Sequence, residues 1–272
     1  MMKNNKKNVI AGLGEIGNPI YKLISKNVPT VGYDLDESRI YKNNVKKFGK
    51  LDTSFLHICI PFGSKFISNV FSLEKKFKPE FVVIHSTVSP YTTKKIQEKI
   101  PIPVIYSATR GVHKRMLSDL KKYTKFFAIN TKISNSKIAI IEYSKLMRKC
   151  GVKTKRMSEP LTLELAKIVC DTSYYGWLIN YAQLSNMIAI QHKVNYDEMW
   201  SFSDEIHKFL GNRPKMFPGF IGGHCVIPNL DLMHHKTLNL IKEINDSYIK
   251  KVPKAKSINK KYDKSKKQSY DV

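Results

Sequence analysis

The chain has 272 residues, of which 42% are hydrophobic and 25% charged, the balance of a globular protein with one large or two ordinary domains. It contains no apolar run of about 18 residues, the length that a membrane-spanning helix needs, and its polar, lysine-rich start is unlike a signal peptide. Its four cysteines, at positions 59, 150, 170 and 225, lack the paired spacing of a disulfide framework or a zinc ribbon. We therefore expect a cytoplasmic protein with reduced thiols and no membrane partner.

The formal net charge of +25 raises the possibility of nucleic-acid binding. However, nine of the lysines lie between Lys250 and Lys267, in a polar tail that we predict to be disordered. The remaining excess is spread along the chain and follows no known nucleic-acid-binding pattern. The charge therefore favours an anionic small substrate over specific nucleic-acid recognition.

Short apolar runs alternate with amphipathic stretches in the first half of the chain. The runs predict strands at residues 8–11, 30–34, 55–60, 81–85, 104–106, 125–129 and 152–155. The stretches between them predict helices at residues 16–26, 65–76, 92–99 and 136–150. This alternation indicates a Rossmann-type, doubly wound parallel α/β sheet, which we assign to residues 1–157.

The second half has a helical pattern instead. Residues 159–192 predict one long helix, residues 196–210 a second helix and residues 230–249 a last one, with a Gly/Pro-rich segment at 211–228. We assign residues 158–249 to a small all-α domain and residues 250–272 to the basic tail.

A glycine motif, Gly12-Leu13-Gly14-Glu15-Ile16-Gly17, directly follows the first predicted strand and opens a helix. This is the context of a dinucleotide-binding turn, in which the glycines permit the tight turn, the approach of a pyrophosphate and close helix packing. The second predicted strand ends at Asp34, 22 residues after Gly12, where a carboxylate can accept both ribose hydroxyls and repels a 2′-phosphate. The pattern favours NAD over NADP. The alternative is an ordinary glycine-rich turn with a helix-capping aspartate.

Three further segments stand out: Ser86-Thr87-Val88-Ser89-Pro90-Tyr91-Thr92-Thr93, Glu164-Leu165-Ala166-Lys167 and Pro218-Gly219-Phe220-Ile221-Gly222-Gly223-His224-Cys225. With the glycine motif, and in this order, they resemble the UDP-glucose/GDP-mannose dehydrogenase family, especially its N-acetylmannosaminuronate-forming branch. The Gly-Gly-His-Cys element is the most specific of these segments. The resemblance covers residues 8 to about 249.

The resemblance implies oxidation of a nucleotide sugar to a uronic acid with two NAD and a covalent thioester, as used in polysaccharide biosynthesis. It implies Cys225 as the nucleophile and Lys167 as the cation that stabilises the oxyanion, meeting beside the nicotinamide. Glu164 and Asp171 would orient the lysine and water. The implied cofactor-binding residues are Gly12, Gly14, Glu15, Ile16, Gly17, Asp34, Pro61, Ser86 and Thr87. The implied pocket is lined by Asn229, Gly222, Gly223 and His224.

The residues also permit simpler interpretations. A thiolate is the most nucleophilic ordinary side chain, yet Cys225 alone would more readily be a buried structural cysteine. Glu164, Lys167 and Asp171 can form a solvated polar stripe. A metal site formed by His224, His234, His235 and Cys225 matches no standard zinc spacing, so we predict no metal.

The chain departs from the family pattern at several positions. Asp171 stands where the family has asparagine, and Asn229 where it has aspartate, which suggests a reciprocal exchange. Thr109 stands where the family has a glutamate that delivers water, and the candidates for that task here are His113 and Asp171. Arg110 and His113 belong to a basic cluster that binds a phosphate of the substrate or is a solvated loop.

The family's second Rossmann-like domain, which holds the nucleotide, has no counterpart here. The substrate therefore differs, or a separate chain supplies that domain, or catalysis has been lost. We expect a homodimer built on the long helix. The alternatives for function are a one-step β-hydroxyacid-type dehydrogenase, which would not need Cys225, and a non-catalytic NAD-binding scaffold.

Overall fold

The computed structural model describes residues 6–210, 219–222, 226–232 and 236–252. The chain divides between Lys167 and Ile168 into two compact units. Most of the Gly/Pro-rich segment, the Gly223-His224-Cys225 element, His234 and His235, and the basic tail from residue 253 onward lie outside the described residues.

The first unit is built on a seven-stranded sheet whose spatial order is β2-β1-β3-β4-β5-β6-β7. Its strands are β1 (Lys6–Ala11), β2 (Thr30–Tyr33), β3 (Asp52–Ile58), β4 (Phe81–Ile84), β5 (Val104–Tyr106), β6 (Lys125–Ile129) and β7 (Thr154–Arg156). All neighbouring strands run parallel except β5 and β6, which are antiparallel. The Rossmann-type α/β sheet predicted from the sequence is therefore confirmed.

The described residues of the first unit form seven α-helices: α1 (Gly17–Ser25), α2 (Lys42–Phe48), α3 (Phe66–Phe77), α4 (Thr92–Gln97), α5 (Met116–Lys122), α6 (Ser136–Lys149) and α7 (Pro160–Leu165). Successive strand residues point to opposite faces, so Ile10 packs with α1, α5 and α6 while Val9 and Ala11 pack with α3, α4 and α7. Both faces of the sheet are thus covered, as a parallel sheet requires. Helices α2 and α5 were not predicted.

The second half of the chain is helical, as predicted. Helix α7 continues into a π-helical segment (Ala166–Ser173) and then into α8 (Tyr174–His192). Helices α9 (Tyr196–Leu210), α10 (Val226–Leu230) and α11 (Lys236–Lys251) follow. No helix in the described ranges is long and apolar enough to cross a membrane.

Two helix predictions need correction. The predicted long helix is not α-helical throughout, since residues Ala166–Ser173 are π-helical. This segment carries both Lys167 and Asp171. The last helix does not begin at residue 230: α10 ends at Leu230, and a turn in which Leu232 donates to the Asn229 carbonyl precedes α11. No glycine or proline lies between Leu230 and Lys236 in the sequence. The sequence therefore gives no local signal for the break, and the apolar pattern continues across it.

Candidate functional site

The predicted cofactor residues lie at the carboxyl edge of the parallel strands. The glycine motif follows β1, Asp34 follows β2, Pro61 lies beyond β3, and Ser86 and Thr87 lie just beyond β4. The Ser86 hydroxyl donates to the Ile60 carbonyl at 2.6 Å, which ties the two neighbouring strand ends together. This edge is where open α/β sheets bind their ligands.

The three glycines of the motif meet different constraints. Gly12 has a φ of +89°, and a Cβ there would lie 2.9 Å from the Cys59 backbone. A Cβ at Gly17 would lie 1.6 Å from the Gly12 carbonyl oxygen, so no side chain fits while the turn keeps its shape. A Cβ at Gly14 would meet nothing closer than the Arg39 Nη1 atom, at 3.9 Å. The fold therefore requires Gly12 and Gly17, whereas Gly14 leaves open space above the turn.

Asp34 is held beside this turn. Its carboxylate accepts the Leu13 backbone N–H at 2.6 Å and the Asp36 backbone N–H at 2.9 Å. Each carboxylate oxygen has further acceptor capacity, so Asp34 can still receive ribose hydroxyls. Among the described residues no side chain caps the N-terminus of α1, whose N–H groups can therefore bind an anion. The open space at Gly14, the helix end and the carboxylate together fit a dinucleotide.

Two residues next to Asp34 were not singled out from the sequence. Leu35 is 91% exposed and offers an apolar surface directly beside the carboxylate. Arg39 donates to Asp36 at 3.0 Å, and its guanidinium lies near Gly14. In the sequence, Arg39 could have been recognised as a cation five residues after Asp34, the aspartate that follows the second strand.

The glycine motif also contacts the loop after β5. The Glu15 carboxylate pairs with the His113 Nδ1 atom at 2.8 Å, which joins a predicted cofactor residue to a predicted substrate residue. Arg110, the other predicted substrate residue in this loop, donates to the Thr124 carbonyl at 2.9 Å and stacks over the Phe126 ring. Arg110 is exposed to solvent.

Glu164 is 1% exposed and caps a helix. Its carboxylate accepts the Tyr91 N–H at 2.7 Å, the Thr93 N–H at 2.8 Å and the Thr93 hydroxyl at 2.6 Å. Burial raises the pKa of this carboxyl, and the three donors act against that shift. The side chain thus fixes α7 to the start of α4, and its orienting role toward Lys167 remains a prediction.

The other predicted catalytic residues occupy the helical half and its junction. Lys167 and Asp171 are both half-buried in the π-helical segment, a feature often found at functional sites. The Asn229 amide donates to the hydroxyl of Thr172, the neighbour of Asp171, at 3.4 Å. Gly222 is exposed, while Gly223, His224 and Cys225 lie outside the described residues.

A buried polar cluster at the same sheet edge was missed entirely. Lys125 donates to the Ser107 carbonyl at 2.8 Å, the Ala108 carbonyl at 3.1 Å and the Thr109 hydroxyl at 2.9 Å. Behind it, His57 and His85 share a hydrogen bond of 2.9 Å between their rings. Burial lowers the pKa of Lys125 to about 7 and that of His57 to about 3. The lysine is therefore balanced between its two protonation states at neutral pH.

The pKa of Lys125 predicts how stability depends on pH. Between about pH 7 and 10.5 the unfolded chain binds a proton that the folded chain has lost, so this lysine makes stability rise with pH by up to about 1.4 kcal/mol per unit. In Lys125→Met that contribution disappears, and urea unfolding at pH 7.5, 8.5 and 9.5 should show a shallower rise. Exposed Lys121→Met is the matched control and should parallel the wild type. Equal slopes in all three proteins would contradict the prediction.

No protein-family model matches the chain, and no curated protein matches it in sequence. Solved structures do match. The UDP-D-ManNAc dehydrogenase of Pyrococcus horikoshii matches with a TM-score of 0.73 at 18% identity, over 89% of this chain and 68% of that one. The UDP-N-acetyl-mannosamine dehydrogenase of Staphylococcus aureus gives 0.66 at 20% identity, over 89% and 68%. The 3-hydroxyisobutyrate dehydrogenase of Mycobacterium tuberculosis gives 0.65 at 13% identity, over 92% and 94%. This likeness shows the fold alone. The chain shares that fold with the two sugar dehydrogenases and with the 3-hydroxyisobutyrate dehydrogenase.

Proposed function

We propose that the protein is an NAD-dependent oxidoreductase that acts on the CH–OH group of a nucleotide sugar or related phosphorylated sugar and converts it toward a uronic acid. The observation that carries the proposal is the turn at Gly12, Gly14 and Gly17, which leaves room for a dinucleotide beside Asp34. The sugar substrate is supported by the sequence resemblance and by the solved sugar dehydrogenases that share the fold.

In this proposal NAD is held by the glycine motif, Glu15, Ile16, Asp34, Pro61, Ser86 and Thr87. When bound, it would accept a hydride from the substrate carbon in each oxidation. The Cys225 thiolate would add to the carbonyl carbon of the aldehyde to give a thiohemiacetal. Loss of a hydride from that adduct gives a thioester, and water cleaves it to the carboxylate and the free thiol.

The remaining residues would stabilise charge and position water. The Lys167 ammonium would stabilise the oxyanion of the adduct. Asp171 and Asn229 would orient the lysine and the water, and Glu164 would act indirectly by fixing α7. His113, which pairs with Glu15 of the cofactor turn, and Arg110 of the same loop would hold the anionic part of the substrate, with His224, Gly222 and Gly223 lining the pocket.

The test of this proposal is a panel of UDP- and GDP-sugars offered to the purified protein with NAD. We expect one or more sugars to yield two NADH per molecule together with the corresponding uronic acid. The chain spans 68% of the length of the matched sugar dehydrogenases, so the panel should be repeated with the remaining part of such a dehydrogenase added as a separate chain. No NADH from any member under either condition, with NAD binding intact, would favour the non-catalytic scaffold.

A second candidate is a one-step β-hydroxyacid dehydrogenase. The observation that favours it is the shared fold, because the 3-hydroxyisobutyrate dehydrogenase matches 92% of this chain with a TM-score of 0.65. This enzyme would release one NADH per substrate and would not need Cys225. A set of short β-hydroxyacids in the same assay distinguishes the two.

We also propose that two copies pair through α8. The exposed side chains of α8 and α9 include many large apolar ones: Tyr174, Tyr175, Tyr181, Leu184, Ile188, Ile190, Phe202 and Phe209. Exposed large apolar side chains gathered on two neighbouring helices favour burial against a second copy, and this supports the dimer.

The dimer prediction has a direct test. Light scattering at micromolar concentration should give twice the 31.3 kDa of a single chain. Ile188→Glu places a charge in the α8 surface and should reduce the mass to that of a monomer. Ile138→Glu, at a similarly exposed position on α6, should remain a dimer. A monomeric wild type would refute the proposal.

A further inference from the structure

Lys125 is a buried cation to which the function proposed above assigns no task. It begins β6, is 6% exposed and lies beyond the end of β5, its antiparallel neighbour. Its Nζ atom donates to the carbonyls of Ser107 and Ala108, at 2.8 and 3.1 Å, and to the Thr109 hydroxyl at 2.9 Å. An ammonium group has three donors, so these three acceptors satisfy the charged lysine in full.

Loss of one proton from Lys125 reverses only one of these hydrogen bonds. A neutral amine keeps two N–H donors and gains one lone pair. A carbonyl oxygen cannot donate, so the two N–H groups stay on Ser107 and Ala108 and the lone pair faces Thr109. The Thr109 hydroxyl then donates to Lys125 where before it accepted. Both protonation states of the lysine are therefore satisfied, which a buried polar group requires.

The Thr109 hydroxyl has hydrogen-bonding capacity left for a ligand in both states. While Lys125 is charged, the hydroxyl hydrogen of Thr109 has no acceptor in the part of the chain that the structure describes. While Lys125 is neutral, the Thr109 oxygen keeps its lone pairs for another donor. Thr109 thus offers a neighbouring oxygen atom a donor in one state and an acceptor in the other.

Other titratable groups near Lys125 do not exchange protons with it near neutral pH. The rings of His57 and His85 share a hydrogen bond of 2.9 Å, and burial lowers the pKa of both, that of His57 to about 3. Burial raises the pKa of the Cys59 thiol to about 12. All three groups are therefore uncharged at neutral pH. Among the described partners of Lys125, Thr109 alone can pass a proton to it or from it.

Thr109 is fixed to the edge of the sheet where we propose that the cofactor binds. Its backbone N–H donates to the His85 carbonyl at 3.2 Å, and His85 directly precedes Ser86 and Thr87 in the chain. Both Ser86 and Thr87 are proposed cofactor-binding residues. The Thr109 hydroxyl therefore lies beside the strand end from which part of the cofactor site extends.

Two predicted site residues act on Lys125 through their charge. Burial lowers the pKa of Lys125 to about 7, and the positive charges of Lys167 and Arg110 add to this effect. An electrostatic effect of this kind weakens with distance, so both cations lie near Lys125. At neutral pH the amine is uncharged in about half of the molecules, as a proton acceptor must be.

We propose that Thr109 and Lys125 form a proton relay that accepts the hydroxyl proton of the alcohol substrate. Threonine alone is no base at neutral pH, and Lys125 supplies the missing basicity. When the alcohol is oxidised, its C–H hydrogen leaves as a hydride to NAD, its O–H proton moves to the Thr109 oxygen, and the Thr109 proton moves to the Lys125 amine. The products are a carbonyl compound, NADH and charged Lys125, so atoms and charge balance. The relay rests on the proposed function insofar as the substrate is an alcohol, and it serves the β-hydroxyacid candidate equally.

Three variants separate the relay from a structural role. Thr109→Val removes the hydroxyl and keeps the shape of the side chain, Thr109→Ser keeps the hydroxyl, and Lys125→Met removes the amine. Thr131→Val is the matched control, because Thr131 is an exposed threonine in the turn before α6. Thermal midpoints are recorded for all four proteins, and every measurement is made well below the lowest midpoint.

The first readout needs neither substrate nor cofactor. Lysine labelled with 13C at Cε shows the titration of each amine by NMR, and the Lys125 signal is the one missing from Lys125→Met. We expect its midpoint near pH 7 in the wild type, Thr109→Ser and Thr131→Val. In Thr109→Val the midpoint should fall by about one pH unit, because the charged amine loses the stronger of its possible bonds to Thr109. An equal midpoint in Thr109→Val and the wild type would overturn the relay, whatever the substrate proves to be.

The second readout is the dependence of the reaction on pH. With an alcohol that the wild type oxidises, kcat/KM should rise with pH through the Lys125 midpoint and then level, because only the neutral amine accepts a proton. We expect Thr109→Val and Lys125→Met to lose this rise and to be slower by at least about 100-fold, while Thr109→Ser stays within about threefold of the wild type. A lower rate that keeps the wild-type pH dependence would indicate a structural effect and contradict the relay. If no alcohol is oxidised, the proposed function fails, and the Lys125 midpoint in Thr109→Val still decides whether the hydroxyl and the amine are coupled.

Discussion

Cys225→Ser is expected to abolish acid formation from the sugar alcohol while NAD binding is unchanged. A serine hydroxyl does not ionise near neutral pH, whereas a cysteine thiol is partly a thiolate and is far more nucleophilic. Without the adduct no thioester forms, and the second hydride has no source. We expect the acid-forming rate to fall by at least about 1000-fold, the order seen when a covalent nucleophile is removed.

The measurement is the number of NADH molecules and the amount of uronic acid produced per sugar. Cys170→Ser replaces an exposed cysteine and should behave like the wild type. Full activity in Cys225→Ser, with one NADH per substrate, would support the β-hydroxyacid dehydrogenase. Retention of both NADH equivalents and of acid would exclude the covalent route altogether.

Gly17→Ala is expected to abolish NAD binding and to lower stability. The added Cβ would lie 1.6 Å from the Gly12 carbonyl oxygen, so the turn must open or α1 must move off β1. Forcing an atom into such a packed position costs about 1–3 kcal/mol or more, and the turn that would hold the pyrophosphate is lost with it. Calorimetric titration with NAD and thermal unfolding measure the two effects.

Gly63→Ala is the control for both effects of this prediction, and Gly14→Ala is the control for stability alone. A Cβ at Gly14 has no neighbour closer than the Arg39 Nη1 atom at 3.9 Å, and one at Gly63 has none within 4 Å, so both variants should unfold like the wild type. Gly14→Ala should nevertheless weaken NAD binding, because its methyl group fills the open space above the turn. Wild-type affinity in Gly14→Ala would show that the dinucleotide does not approach there.

The sheet and most of its helices follow from local patterns in the sequence. Val9, Ile10 and Ala11 alternate between two apolar layers, and the period of two predicts their strand. Helix α2, by contrast, buries no residue, so it has no apolar periodicity to find. The π-helical segment was also missed, because its composition is that of any amphipathic helix.

Local motifs likewise predicted part of the candidate site. The glycine turn and Asp34 lie within a single strand–helix–strand unit, so their proximity follows from the order of the residues. The surroundings of Lys125 were not predictable in this way. They depend on the antiparallel pairing of β5 with β6, which brings Lys125 beside the Ser107 and Ala108 carbonyls. From the sequence alone, a lysine at the start of a strand is predicted to lie on the surface.

The antiparallel direction of β6 determines which part of the chain can change in length during evolution. Because β5 ends and β6 begins at the same side of the sheet, the connection between them never has to cross the core, unlike a parallel crossover. Ala108 and Thr109 are buried and hold Lys125, but the exposed stretch from Arg110 to Lys114, ahead of α5, can gain or lose length without crossing the packed layers. This stretch carries Arg110 and His113, the proposed substrate-binding residues, so under that proposal insertions and deletions here would change substrate preference while the sheet and its helices stay the same.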